Sequence, residues 1–345
     1  MRYRNAAPYL LSILAALTFA VRPAAAEDFY KDKQIKILVS ADPNTNYDSY
    51  ARTVARHMGQ YIPGHPTFIV QNMPGAGGLK VANFIANAAP RDGTVLAATH
   101  PVIPIIALTN PKETQFDPTK LSWIGSATRE LYVGYLWHTA PAKSMEEARL
   151  KETIVGGTAV GSFAIDMAVL ANEFFGTKFK ILTGYKSSPE HQLAIEKGES
   201  HGSMGTVWTN IKRNGDWVRE GKITVFVQYG LKKDPQLPDV PLYIDFAKND
   251  ADLQAIRFMI ARLEHGKPYF APPEVPAERL ALLRRAFEAT VKDPAFVKEI
   301  ESQQGEINGP MTGEELATLV AQEATTPPSV VKRIEEALAR YTGGK

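Results

Sequence analysis

The sequence contains no cysteine, which excludes disulfide bridges, thiol nucleophiles and thiolate metal sites. It has no long block of lysine and arginine, so it lacks the clustered cations that phosphate neutralisation on nucleic acid requires. The strongest apolar run, residues 10–21, is shorter than the roughly 20 residues needed to span a bilayer. No two of the seven histidines, His57, His65, His100, His138, His191, His201 and His265, share the spacing of paired helical metal ligands. They read as ordinary surface or partly buried side chains, with His100 set apart because it follows the end of a predicted strand beside Pro101.

Enzyme signatures fail at residues their chemistry needs. Gly75-Ala76-Gly77-Gly78 begins like a dinucleotide fingerprint, but Lys80 stands where its third glycine belongs. Residues 156–162 (GGTAVGS) have the glycines of a phosphate loop and no lysine to meet the terminal phosphates. Gly202-Ser203-Met204-Gly205 resembles a nucleophile elbow with His201 in place of its first glycine. No catalytic residue, metal or cofactor is expected.

What is present points to a folded, exported protein. The 345 residues, 44% apolar and 22% charged, are enough for two lobes with a sizeable core. Arg2 and Arg4, the apolar run and Ala24-Ala25-Ala26 form a secretory signal over residues 1–26. Cleavage after Ala26 would leave a soluble periplasmic chain with 36 basic against 37 acidic residues.

Segments rich in β-branched residues alternate with amphipathic helical patterns, which predicts an α/β protein. Strands at 35–40, 68–72 and 95–99, with helices after Asn46 and at 79–87, make a βαβαβ half-sheet whose ligand sites lie at the strands' carboxyl ends. The pattern restarts near residues 126–133, with strands at 133–138, 153–157 and 180–182 and helices at 163–175 and 190–197. Residues 223–229 (ITVFVQY) read as a strand leading back to the first lobe. The C-terminal part reads as helical: Pro276 starts one helix, Thr312 and Glu315 form a capping box, and Val331, Ile334, Leu338 and Tyr341 mark the last. Three glycine-rich or polar turns, 42–48, 73–78 and 157–162, follow strands. Such turns hold anions through backbone amides and helix starts, although tight strand-to-helix connections use the same residues.

At these residues the chain resembles the extracytoplasmic solute receptors of tripartite tricarboxylate transporters, the TctC or Bug-like family. Val70-Gln71-Asn72-Met73-Pro74-Gly75-Ala76-Gly77-Gly78 is similar to that family's V-E-N-x-P-G-A-G-G turn, and Asp48 and Arg52 match its D-x-x-x-R. Ala88-Ala89-Pro90-Arg91-Asp92-Gly93 lies near its A-x-P-D-G, with Arg91 inserted. Leu237-Pro238-Asp239-Val240-Pro241 also falls where expected. The chain departs where Pro43-Asn44-Thr45 replaces P-G-G, and His201 replaces a common acid.

The resemblance implies a type II periplasmic-binding fold, two α/β lobes joined by crossing strands with a ligand cleft between them. It implies capture of a small carboxylate for an ion-driven permease of one small and one large subunit, without metal or cofactor. The lobes are drawn as 27–126 with 230–345, and 127–229, and the receptor is expected to act as a monomer. From lobe one, Asn44, Thr45, Asn46 and Tyr47 and the amides of Gly75, Ala76, Gly77 and Gly78 should face the cleft, together with His100. Gly161, Ser162, Tyr185 and Thr206 are the candidates from lobe two, while Asp48 should be a structural partner near the helix start. A sensor reporting to a signalling receptor would share this sequence pattern, and a secreted enzyme would need a base and nucleophile placed together.

Overall fold

Residues 34–39 (QIKILV) are buried along nearly their whole length, as expected for an inner strand covered on both faces. This strand, β1 (Gln34–Val39), pairs in parallel with β2 (Thr67–Asn72), placing Ile37 opposite Val70, and with β3 (Val95–Ala98), placing Val39 opposite Ala98. The helices Asn46–His57 and Leu79–Asn87 are the crossovers, so the predicted half-sheet forms. The computed structural model describes residues 29–159, 161–213 and 216–343; the signal predicted for residues 1–26 lies outside them.

The chain continues through β4 (Ser122–Ser126) and then builds a second set of strands: β5 (Tyr132–Trp137), β6 (Thr153–Gly156), β7 (Phe179–Leu182), β8 (Gly202–Val207) and β9 (Ile223–Tyr229). It returns in β10 (Pro268–Ala271) and β11 (Met311–Thr312). The first sheet has the order β11-β4-β10-β3-β1-β2, with β10 antiparallel to β3 and β4. In the second lobe β5 lies between β8 and β9, and β6 pairs with β7 in parallel. His201 joins these two parts: its backbone N–H donates to Ile154 O at 2.7 Å, and its Nδ1 accepts from Ile154 N at 2.9 Å.

The first sheet buries apolar side chains on both faces. Ile35, Ile37 and Val39 pack with Val54, Phe287 and Phe296 on one side of the first sheet. Leu38, Ala97 and Trp123 pack with Val81, Leu316 and Val320 on the other. In the second lobe Leu136, Met167 and Phe226 share a core with Ile256 and Ile260 of the helix Asp250–His265 and Ile334 of the helix Pro328–Gly343. These two helices fall inside 230–345, the stretch drawn with the first lobe, yet their apolar faces are buried against the second. The capping box at Thr312 and Glu315 is present, each residue bonding the other's backbone N–H.

Two neighbouring passages run between the cores, residues 127–131 between β4 and β5 and the end of helix Asp250–His265 with Gly266 and Lys267 before β10, and the chain crosses again between the helices Gly313–Ala324 and Pro328–Gly343. The two neighbouring passages touch along their length. Ala127 N donates to Lys267 O at 3.1 Å, and Glu130 N donates to Leu263 O at 3.2 Å. Gly266 has a φ of 52°, and a Cβ there would sit 1.7 Å from Thr128 O. Only glycine fits that crossing.

Candidate functional site

The first-lobe wall is assembled where β1, β2 and β3 end. After β1 the chain turns through Asn44, whose φ is 64°, and Thr45 caps the next helix, its Oγ1 accepting from Asp48 N. Asp48 is buried and accepts from Asn44 N at 2.9 Å, Asn72 Nδ2 at 2.8 Å and Arg52 Nε at 2.9 Å. Burial pushes its carboxyl up, but these donors outweigh that and hold it below the ordinary value. Arg52 also donates to Asn72 Oδ1 at 3.0 Å, and Asn72 Nδ2 donates to Ala41 O at 2.9 Å. Asp48 and Arg52 therefore clamp the first turn onto the end of β2.

The second turn lies beside the first. Gly75, Ala76 and Gly77 are exposed, Gly78 is buried, and Gly78 N donates back to Gly75 O at 3.0 Å. Gly78 has a φ of 102°, and a Cβ there would press within 3.3 Å of Ser40. Gly77, at a φ of 61°, has nothing within 4 Å of its Cβ position. After β3, His100 Nδ1 bonds Ser40 Oγ at 2.9 Å and its ring lies 4.6 Å from that of Tyr47. Burial lowers the His100 pKa, with nearby Glu130 acting the other way.

The second-lobe wall encloses a chamber of about 250 Å³ lined by Ser162, Thr206, Tyr132, Phe163, His191 and Tyr135 among others. Ser162 caps the helix Phe163–Leu170 by position, but its hydroxyl donates to Ala159 O at 2.6 Å. Tyr185 stacks 4.7 Å from the buried His191 ring, and His191 Nε2 meets Ser200 Oγ at 3.2 Å. Burial lowers the His191 pKa to about 4, which keeps the imidazole neutral. Gly161 is exposed, with a φ of 85° and open space at its Cβ position.

Between the walls a smaller cavity of about 150 Å³ is bordered by Asn46 and Tyr50 of the first lobe, Asn210 and Arg213 of the second, and Glu130 and Lys267 of the two passages. Asn210 and Val207 border both spaces. Lys267 is 4% exposed, pairs with Glu130 at 2.9 Å and lies over the Tyr47 and Tyr50 rings at 5.1 and 4.7 Å. Burial raises the pKa of Tyr47 and of Tyr132, and Glu130 adds to both shifts. These phenols remain neutral hydrogen-bond groups.

The structure thus gathers Asn44, Thr45, Asn46, Tyr47, Gly75, Ala76, Gly77, Gly78 and His100 at neighbouring strand ends, with Ser162 and Thr206 in the opposite chamber. Tyr185 reaches that chamber through His191, and Gly161 precedes Ser162 in the loop at the chamber's edge. Sequence patterns do not mark Glu130, Tyr132, Asn210 and Lys267 of the cavity borders, because they lie in the passages, at the start of β5 and in a short helix, away from glycine-rich turns. Among the described residues, no group of three histidine, aspartate or glutamate side chains is placed to hold a metal ion. No described helix is long and apolar enough to cross a membrane. The arrangement offers hydroxyls, amides and the buried Lys267–Glu130 pair beside a neutral aromatic surface, which suits holding an organic anion.

Against solved structures, a ligand-free TctC solute-binding protein from Polaromonas aligns over 88% of this chain and 99% of its own, at a TM-score of 0.69 and 16% identity. The fold is that of the TctC and Bug solute-binding proteins. MatC from Rhodopseudomonas palustris, solved with bound malate, aligns over 89% of this chain and 99% of its own, at 0.54 and 19% identity. An R. palustris protein solved with adipate aligns over 89% and 97%, at 0.54 and 18% identity. A UPF0065 protein of Cupriavidus necator is 27% identical over 237 residues, covering 66% of this chain and 68% of that protein. No family model matches the chain.

Proposed function

We propose that this chain is a periplasmic receptor of the TctC or Bug type, which captures a small carboxylate and presents it to the two-subunit permease of an ion-driven tripartite tricarboxylate transporter. The reading is supported by three turns, at Thr45, Gly77 and His100, that follow the neighbouring strands β1, β2 and β3, and by the cavity that Asn46 and Tyr50 border together with Asn210 and Arg213 of the second lobe. The opposite wall offers Ser162 and Thr206. Malate and adipate in proteins of the same fold support a carboxylate as the ligand. The lobes are proposed as 27–126 with 230–345, and 127–229, the helices Asp250–His265 and Pro328–Gly343 reaching from the first onto the second. Residues 1–26 are proposed as the export signal.

A thermal-shift screen of mono- and dicarboxylates tests the reading. A ligand at a hundredfold excess over its dissociation constant stabilises the fold by about 2.7 kcal/mol, a visible rise in melting temperature. Gly77→Val should remove the rise by crowding the first-lobe wall. The unliganded variant should stay folded, since a Cβ at Gly77 meets nothing within 4 Å and the left-handed backbone costs the β-branched side chain about 2 kcal/mol. A panel of acids that gives no shift while sugars or amines do would sink the reading.

A further inference from the structure

Arg262 lies one turn before the end of the helix Asp250–His265, where the chain runs on toward β10 of the first sheet. The next turn of that helix carries His265, whose Nδ1 meets Pro101 O at 2.9 Å, next to His100 on the first-lobe wall. The Arg262 guanidinium stands 4.9 Å over the Phe163 ring, and Phe163 meets Tyr132 edge-on at 4.9 Å. Both rings line the second-lobe chamber. Arg262 thus packs against the aromatic lining of the second-lobe chamber, on a helix whose last residue meets the first lobe.

Its hydrogen bonding is incomplete. Asp166 Oδ2 is 3.9 Å from the guanidinium, beyond hydrogen-bond reach. Nη2 of Arg262 and Oδ1 of Asp166 are both shielded from solvent without a hydrogen-bond partner among the described residues, and Asp166 is 4% exposed. Buried charged donors are rarely left so, because desolvation then goes uncompensated. Burial lowers the Arg262 pKa, with Asp166 and Tyr132 opposing that shift, and it raises the Asp166 pKa against the pull of Arg262 and of a backbone hydrogen bond from Gly161. The directions agree with the long separation: each charge is only partly neutralised by the other.

A planar guanidinium on a side chain that is 26% exposed, with Nη2 unpartnered and an aromatic face beneath it, matches a carboxylate. We propose that Arg262 is a specificity-determining residue, which pairs with the far carboxylate of a dicarboxylate whose near carboxylate is held by the first-lobe turns. This assignment rests on the carboxylate-receptor reading and narrows it to acids with two carboxylates. Asp166 competes for the same guanidinium, so its charge limits the affinity.

Isothermal titration with matched acids tests the assignment: succinate, glutarate and adipate against butyrate, valerate and hexanoate. Arg262→Met should weaken binding of the preferred dicarboxylate at least about tenfold, the loss expected for one charged hydrogen bond, and leave monocarboxylate binding unchanged. Asp166→Asn should act in the opposite direction and tighten the dicarboxylate severalfold, an effect that damage to the fold would not produce. Dicarboxylate binding unchanged in Arg262→Met overturns the assignment. So does an equal loss for both acid classes with no gain in Asp166→Asn. A parent protein that binds neither class refutes the carboxylate reading as well, whereas one that prefers monocarboxylates refutes the role of Arg262 alone.

Discussion

His191 sets a quantitative expectation for stability against pH. It is 4% exposed, packed between Tyr185 and Gly156, and burial lowers its pKa from 6.5 to about 4. In the unfolded chain it takes up a proton near pH 6.5, whereas in the folded chain it stays neutral until about pH 4. Between those values the unfolded state binds more protons, so stability falls as pH falls. Linkage puts the His191 part of the loss at about 2 kcal/mol on going from about pH 7 to about pH 5, and at about 3 kcal/mol once the folded value is passed. Burial lowers His100 and His201 too, so the parent's acid sensitivity sums several groups, and a variant is needed to isolate one. Urea denaturation of the parent and of His191→Gln at both pH values provides it. The variant should be less stable at neutral pH and should lose about 2 kcal/mol less than the parent on acidification. Equal losses in the two proteins would show that His191 is not held neutral by burial and refute the reasoning.

Two further predictions concern the framework of the cleft. Gly266→Ala forces a Cβ against Thr128 O, 1.7 Å away, and should cost about 3 kcal/mol or more, read as a lowered denaturation midpoint; a change within about 0.5 kcal/mol would contradict the crossing geometry. Asp48→Asn should destabilise by about 2 kcal/mol at neutral pH. Because the folded Asp48 pKa is depressed, its contribution is present above the ordinary value of 3.8 and lost as pH falls through the lower folded value. The variant and parent should therefore converge in very acidic melts, and a constant gap would count against the clamp.

Much of this architecture is legible in the sequence where the local signals agree. β1, β2 and β3 are short apolar runs separated by amphipathic helices and turn residues, and the helix Leu79–Asn87 falls where it is expected. The strand Ile223–Tyr229 and the capping box at Thr312 are equally plain. The strands β4 (SWIGS) and β8 (GSMGTV) are hidden because glycine and serine dilute their apolar content, and only pairing with buried neighbours makes them strands. β10 has four residues and begins with proline, too short for a periodic signal. The helix Asp250–His265 carries such a signal in Ile256, Met259, Ile260 and Leu263.

The candidate site divides in the same way. Glycine-rich turns advertise the first-lobe wall, because positive φ demands particular residues. Lys267 and Glu130 meet only when two passages 137 residues apart cross. Arg262 reaches Phe163 across a sequence separation that no local pattern records.

The central claim, that the two lobes close on a carboxylate held between them, is tested most directly by small-angle X-ray scattering of the purified protein with and without the tightest acid from the screen. A ligand that touches both walls binds the closed form better and shifts the population toward it, so the radius of gyration should fall on saturation and stay constant with Gly77→Val under the same conditions. An unchanged radius in the parent protein, at ligand concentrations where calorimetry shows the site filled, would contradict the account.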